Sequence, residues 1–177
     1  NFAWLRGVKL TSNLFGPNND GFDITGCHDV MISDCYLSCC DDAICLKTTP
    51  DSNPVRRVCV TNCVIRTRCV ALKLGCNESF HDFRNITFSN CTVYESSRAF
   101  ALYTRQGGNM EDITVANISF GQGVSTTAVQ LVAALSALGN GGTLSAGYTL
   151  AGGADGTRYD LLGTVVNGAW LEASLAF

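Results

Sequence analysis

The sequence is poor in charge, proline and histidine: of 177 residues only 15% are charged, three are Pro and two are His. There is no basic surplus, since 12 Lys and Arg face 15 Asp and Glu for a formal charge of -3. That balance excludes a general binder of nucleic acid or of anionic bilayers, which draws its affinity from clustered cations. No apolar run reaches the roughly 18 to 20 residues of a bilayer span, and the longest, over residues 128–138, is about half that. The start, Asn1-Phe2-Ala3-Trp4, lacks the basic and apolar regions of a secretory signal, so the chain is expected to be the middle of a longer polypeptide or a processed product. Cysteine is missing from the last 86 residues, because all ten lie between Cys27 and Cys91. Their density suits an oxidising compartment and predicts an extracellular protein with some disulfides, the crowded group being Cys59, Cys63, Cys69 and Cys76. No CxxC pair faces another or an HxxxH, so the spacings do not fit zinc.

What is present points to strands. Hydrophobic residues make up 46%, and Asn, Thr, Val and Ile recur in short alternating runs without helical spacing. Five segments share one pattern: Val8-Lys9-Leu10-Thr11-Ser12-Asn13-Leu14-Phe15, Val30-Met31-Ile32-Ser33-Asp34-Cys35-Tyr36-Leu37, Val58-Cys59-Val60-Thr61-Asn62-Cys63-Val64-Ile65, Ile86-Thr87-Phe88-Ser89-Asn90-Cys91-Thr92-Val93 and Ile113-Thr114-Val115-Ala116-Asn117-Ile118-Ser119-Phe120. Their starts lie 22, 28, 28 and 27 residues apart. Each alternates apolar and polar residues, turns at Asn, Asp or Ser, then resumes with apolar residues. A further strand follows in four of the periods, at residues 21–24, 43–47, 69–73 and 99–103.

A unit of this length cannot bury its own apolar face, so successive units must stack at the inter-strand spacing of about 4.8 Å. The expectation is an all-β parallel β-helix of about five coils over residues 8–120, roughly 24 Å of stack. A leucine-rich repeat is the competing solenoid, but its LxxLxLxxN spacing and helical half-repeat are missing. Cys35, Cys63 and Cys91 fall at equivalent places and are expected to point inward as small apolar residues.

In such a stack, residues one period apart become surface neighbours. Asp20 and Asp41 are 21 residues apart, one short coil, and Asp42 adds a third acid. Crowded carboxylates raise one another's proton affinity. Glycosidic hydrolysis needs that asymmetry, with one acid protonating the leaving oxygen and one base activating water. Two other readings stand beside it: corner residues capping turns, and an oxygen-ligand site for Ca²⁺.

Asn19-Asp20-Gly21-Phe22-Asp23, Asp41-Asp42-Ala43-Ile44-Cys45-Leu46-Lys47 and the Asn-Cys ladder resemble glycoside hydrolase family 28, the polygalacturonases and rhamnogalacturonases. The resemblance implies a right-handed parallel β-helix and hydrolysis of pectin-type chains with inversion. It makes Asp41 the general acid and has Asp20 and Asp42 orient and deprotonate the water. It implies no metal or organic cofactor, an anionic polysaccharide as substrate and a monomeric, secreted enzyme with about twice as many coils. Arg68 stands where the family's G-H-G carries histidine, and Ala101-Leu102-Tyr103 stands where its R-I-K lies. The run Ala71-Leu72-Lys73-Leu74-Gly75-Cys76-Asn77-Glu78-Ser79 is similar to the A-I-K-x-G-T-E-S of a bacterial-type branch, with one extra residue before Glu78. The alternatives are a non-catalytic sugar-binding or structural β-helix and a β-helical lyase using Ca²⁺ and a basic residue.

Charge distribution adds an expectation about binding. Residues 47–105 hold nine Lys and Arg against four acids, a surplus of five in a chain of charge -3. A cationic patch beside an acidic group suits an anionic sugar polymer. Lys47, Arg68 and Lys73, with Glu78 toward sugar hydroxyls, are the substrate-binding candidates. His28 and His81 receive no role. The Asn-x-Thr/Ser sequons at Asn77, Asn85, Asn90 and Asn117 are what the ladder itself generates. The composition divides the chain into a β-helix over 1–120 and a Gly- and Ala-rich tail or cap over 121–177, with a short helix expected at 126–138.

Overall fold

A computed structural model describes residues 2–120 and the strand segments Gln130–Val132, Ala146–Ala151 and Arg158–Gly163. Among the described residues every regular element is a strand. The chain forms a parallel β-helix of four complete coils and part of a fifth. The coils are β1 (Ala3–Arg6), β2 (Lys9–Thr11) and β3 (Phe22–Thr25); β4 (His28–Ser33), β5 (Tyr36–Cys39) and β6 (Ile44–Thr48); β7 (Val55–Thr61), β8 (Val64–Thr67) and β9 (Val70–Ser79); and β10 (Phe83–Ser89), β11 (Thr92–Tyr94) and β12 (Arg98–Tyr103). The fifth begins with β13 (Met110–Ala116) and β14 (Ser119–Phe120) and includes β15 (Gln130–Val132). Corresponding strands pair into three sheets. Sheet A runs β1-β4-β7-β10-β13, sheet B β2-β5-β8-β11-β14 and sheet C β3-β6-β9-β12-β15. Beyond β13, sheet A continues through β16 (Ala146–Ala151) to β17 (Arg158–Gly163), the latter antiparallel.

The corner between sheets A and B explains the repeat. One residue there adopts left-handed backbone in every coil: Gly7, Asp34, Asn62, Asn90 and Asn117, with φ of 67°, 57°, 55°, 53° and 53°. Gly, Asn and Asp are the residues for which that conformation costs least. Four of these corners donate their N–H to a carbonyl of the next coil, as in Gly7 N to Ser33 O at 3.1 Å and Asn90 N to Ala116 O at 3.1 Å. Side chains continue the ladder, with Asn117 Nδ2 donating to Asn90 Oδ1 at 3.2 Å. A second left-handed row, Asp29, Arg57, Asn85 and Asp112, is skipped by the sheet A register and bulges outward.

This geometry corrects the alignment of the first repeat. Ala3, not Val8, pairs with Val30, and Lys9-Leu10-Thr11 lies on sheet B opposite Tyr36-Leu37-Ser38. The sheet A period is therefore 27, 28, 28 and 27 residues. The corner of the first coil is a glycine, so a pattern built on Asn and Asp slides past it to Ser12-Asn13.

Inward positions stack like on like. Ile32, Val60 and Phe88 line sheet A, Leu37, Ile65 and Val93 sheet B, and Leu46, Leu74 and Leu102 sheet C, all buried. Phe88 meets Phe100 edge-on across the lumen with centroids 5.7 Å apart. Cys35, Cys63 and Cys91 are buried in the inward ladder as expected. The disulfide expectation is not met at Cys59, Cys63 or Cys69, which are free. They divide among the outer face of sheet A, the lumen and a corner of the stack, so crowding in sequence does not bring them together; the Cys76 side chain lies outside the described residues. The helix expected over 126–138 is also corrected where it is described. Gln130–Val132 is a strand paired with Ala101-Leu102-Tyr103, because the open edge of β12 offers a full row of hydrogen bonds. The rest of that stretch, and the remainder of the expected tail, lie outside the described residues.

The corner makes a direct prediction. Asn62→Val places a β-branched residue at left-handed φ and should cost about 1 to 3 kcal/mol in urea unfolding, whereas Asn62→Gly should cost much less. Equal losses would show that the side-chain ladder, rather than the backbone conformation, sets the cost.

Candidate functional site

The acidic residues gather where sheet B turns into sheet C. The loop of residues 12–21 in the first coil packs on the corner Cys40 to Ala43 of the second. Asn19 O accepts from Cys40 N at 3.3 Å and Asp41 N at 3.2 Å, and Gly21 N donates to Asp42 O at 2.9 Å. A Cβ on Gly21 would stand 2.2 Å from Ala43 O, so only glycine permits this approach. Ala43 N donates to Val70 O at 2.9 Å, tying in the third coil. The Thr67 hydroxyl donates to Asp41 O, and Cys39 Sγ donates to the same oxygen at 3.3 Å. Three coils thus hold the backbone of Asp41 and Asp42 rigidly.

Two ion-pair groups are built on this frame. In the first, the Lys47 ammonium lies 2.9 Å from Asp23, 3.5 Å from Glu78 and 3.6 Å from Asp20. Burial opposes charge on Lys47, but its hydrogen bond to Asp23 and the surrounding anions hold it well above its ordinary pKa. Asp20 moves the other way. Burial first, then Asp23 and Asp41, push its pKa up to about 6 despite the opposing Lys47. In the second group, Asp42 is buried against Lys73, whose side chain is only 11% exposed and lies 5.7 Å from the Tyr103 ring. Asp42 Oδ1 also accepts from Val70 N at 3.3 Å. Asp41 stands between the groups, with its own Oδ1 accepting from Asp42 N at 2.9 Å.

The structure therefore brings six of the seven sequence-derived candidates into two neighbouring ion-pair groups: Asp20, Lys47 and Glu78 in one, Asp42 and Lys73 in the other, with Asp41 beside both. The expected roles shift with their surroundings. Lys47 and Lys73 are engaged by carboxylates of the protein, so they are counter-ions that fix the acids. Asp42 has its carboxylate 5% exposed against Lys73, which leaves it to hold the corner rather than to meet water. Arg68 is separate. It is exposed, has no carboxylate partner among the described residues, and carries its guanidinium 4.6 Å from the centroid of the Phe15 ring.

The cationic surplus of residues 47–105 does not form one patch. Arg57 pairs with Asp29 at 2.8 Å, Arg84 with Asp82 at 2.8 Å and Glu111 at 3.3 Å, and Arg66 with Glu95. Several of these acids lie outside the segment on adjacent coils, which net charge along a sequence cannot register. The sequence reading also passed over Asp23, Thr67, Cys69 and Phe15. Asp23 was readable, since it shares the Asp20 motif and sits one coil from Lys47.

Asp41, Asp42 and Cys69 place possible ligand atoms within 4.8 Å of one another. The donor set suits a hard cation poorly: Asp42 already holds an ammonium, and burial, then Asp42 and Asp41, push the Cys69 thiol up to about 12. In comparisons with known proteins, no family model, no curated protein and no solved structure matches this chain.

Two stability predictions follow from the charges. Because the folded-state pKa of Asp20, about 6, exceeds its ordinary 3.8, its contribution favours folding below pH 4 and is lost as pH rises through 6. Asp20→Asn should remove that loss and gain on the order of 1 kcal/mol over wild type at pH 7.5, allowing for screening of a partly exposed group, with little gain at pH 4. Unfolding midpoints at both pH values check it. Lys73→Met should cost about 3 kcal/mol or more by leaving Asp42 buried without its cation, and adding Asp42→Asn should recover much of that loss in the same measurement.

Proposed function

We propose that the chain is a pectinase-type glycoside hydrolase that cleaves galacturonate- or rhamnogalacturonate-type chains with inversion, acting outside the cell as a monomer. The observation that carries this reading is the meeting of Asp20 and Asp41 across one coil, with Asp20 held at a pKa of about 6. A carboxylate with raised proton affinity is a stronger base than an ordinary aspartate and remains ionised near neutral pH. Asp41 donates its proton to the glycosidic oxygen as the bond to the anomeric carbon breaks. Asp20 takes a proton from the water that attacks from the opposite face of the sugar. Inversion requires about 6.5 to 9.5 Å between the two carboxyl groups so that water fits between them. Lys47 steadies Asp20 without abolishing its basicity, and the Asp42–Lys73 pair fixes the backbone that presents Asp41. The resemblance of these same motifs to glycoside hydrolase family 28 supports the assignment; the absence of its G-H-G and R-I-K runs leaves the sugar contacts to other residues of this chain.

Reducing-end release from de-esterified pectin tests the proposal. Asp41→Asn and Asp20→Asn should each lower the rate about 10²-fold or more. The wild-type rate should fall as pH drops below 6, because Asp20 becomes protonated and can no longer accept a proton from water. Products absorbing in the ultraviolet as unsaturated sugars would replace hydrolysis with elimination. Binding of pectic polymers without cleavage would make the chain a non-catalytic module.

A further inference from the structure

From the arrangement of Phe15 and Arg68 we infer a sugar-binding platform beside the acidic corner, in which the Phe15 ring takes the C–H face of a pyranose and Arg68 takes that sugar's carboxylate. The inference rests on the proposed polysaccharide reading and names the contacts that select an acidic sugar.

Three observations carry it. Phe15 is 77% exposed, the most exposed large apolar side chain of the described residues, although it belongs to a loop otherwise tied down by hydrogen bonds. Phe15 N donates to Asn13 Oδ1 at 3.0 Å, and Asn19 Nδ2 donates to Asn13 O at 2.7 Å. The ring is thus presented by a braced loop that leads directly into Asp20. Second, the contact skips a coil. Phe15 belongs to the first coil and Arg68 to the third, so their contact passes across the corner of the second coil, which carries Asp41 and Asp42. Residue 69, next to Arg68, places its thiol within 4.8 Å of the carboxylate oxygens of both acids. Third, the charge is available. Lys47, Lys73, Arg57, Arg66 and Arg84 are all committed to carboxylates, whereas Arg68 has only the aromatic ring beneath it.

The chemistry of these two groups selects a ligand class. The C–H face of a pyranose packs against an aromatic ring, and a guanidinium presents a planar fork of N–H donors that matches a carboxylate in a way an ammonium does not. The ring under the guanidinium orients that fork without neutralising it. A ligand that satisfies both groups carries a carboxylate on a sugar ring, adjacent to the bond facing Asp20 and Asp41.

Binding of a galacturonate oligomer and of its methyl-esterified counterpart, measured by calorimetry in the Asp41→Asn background, tests this. Phe15→Ala should weaken both ligands about tenfold, through loss of the stacking face. Arg68→Gln should weaken the free acid about tenfold or more and leave the ester little changed, so that preference for the acid disappears. Arg68→Lys should restore only part of that preference. Both side chains are exposed, so melting temperatures should stay at the parent value and exclude misfolding as the cause. The platform is overturned if Arg68→Gln weakens acid and ester equally, if Phe15→Ala binds as the parent does, or if the parent binds neither oligomer. The outcomes separate the two ideas: cleavage by wild type with binding indifferent to both substitutions removes the platform and keeps the hydrolase, while the expected binding pattern without cleavage by wild type removes the hydrolase and keeps the platform.

Discussion

Everything in this protein depends on one residue per coil turning left-handed and handing its N–H to the coil above. At Gly7, Asp34, Asn62, Asn90 and Asn117 the chain swings from sheet A to sheet B by the same angle, so the strands after each corner arrive in register. Once the corners coincide, apolar side chains fall over one another without further instruction. Each buried residue is then packed chiefly by its counterparts in the coils above and below. This is why residues as small as Cys35, Cys63 and Cys91 fill their row completely, and why the lumen needs only occasional aromatics such as Phe88 and Phe100.

The same stacking concentrates charge. Acids and cations that are distant in sequence meet whenever they occupy equivalent positions, and the result on most of the surface is mutual neutralisation between coils. At the Asp20–Asp41 corner the compensation is incomplete. Lys47 is shared by three carboxylates, and Lys73 is committed to Asp42, so Asp20 and Asp41 face one another with too little positive charge between them. The raised proton affinity of Asp20 is the electrostatic consequence, and the stability lost on ionising it is what a chemically useful carboxylate costs the fold.

Much of the fold was legible in the sequence because each coil repeats the same instruction: alternation, then Asn or Asp, then a small apolar residue. The first coil was misread by five residues because Gly7 performs the turn without the expected side chain. Gln130–Val132 was misread because helical propensity is a local quantity, while its strand pairing is supplied by β12 from a coil below. The proximity of Asp20 to Asp41 followed from the period alone. The fates of Lys47 and Lys73 did not, because a lysine aimed at a substrate and one aimed at a neighbouring aspartate look identical in one dimension. Phe15 escaped notice for a related reason: a lone aromatic in a loop has no pattern, and only its contact with a residue two coils away distinguishes it.

The first coil takes eleven residues to go from Thr11 to Phe22, where the second takes six from Ser38 to Ile44, yet both return to matching strands. A solenoid tolerates such an excursion because each corner is connected to the rest of the stack only through the strands on either side. The framework that fixes Asp41 and the loop that carries Phe15 and Asp20 are therefore separable inheritances. Lengthening or exchanging the loop alters what lies against the acids while the ladder beneath keeps its register, which makes this one connection the natural place for the same scaffold to acquire a different ligand.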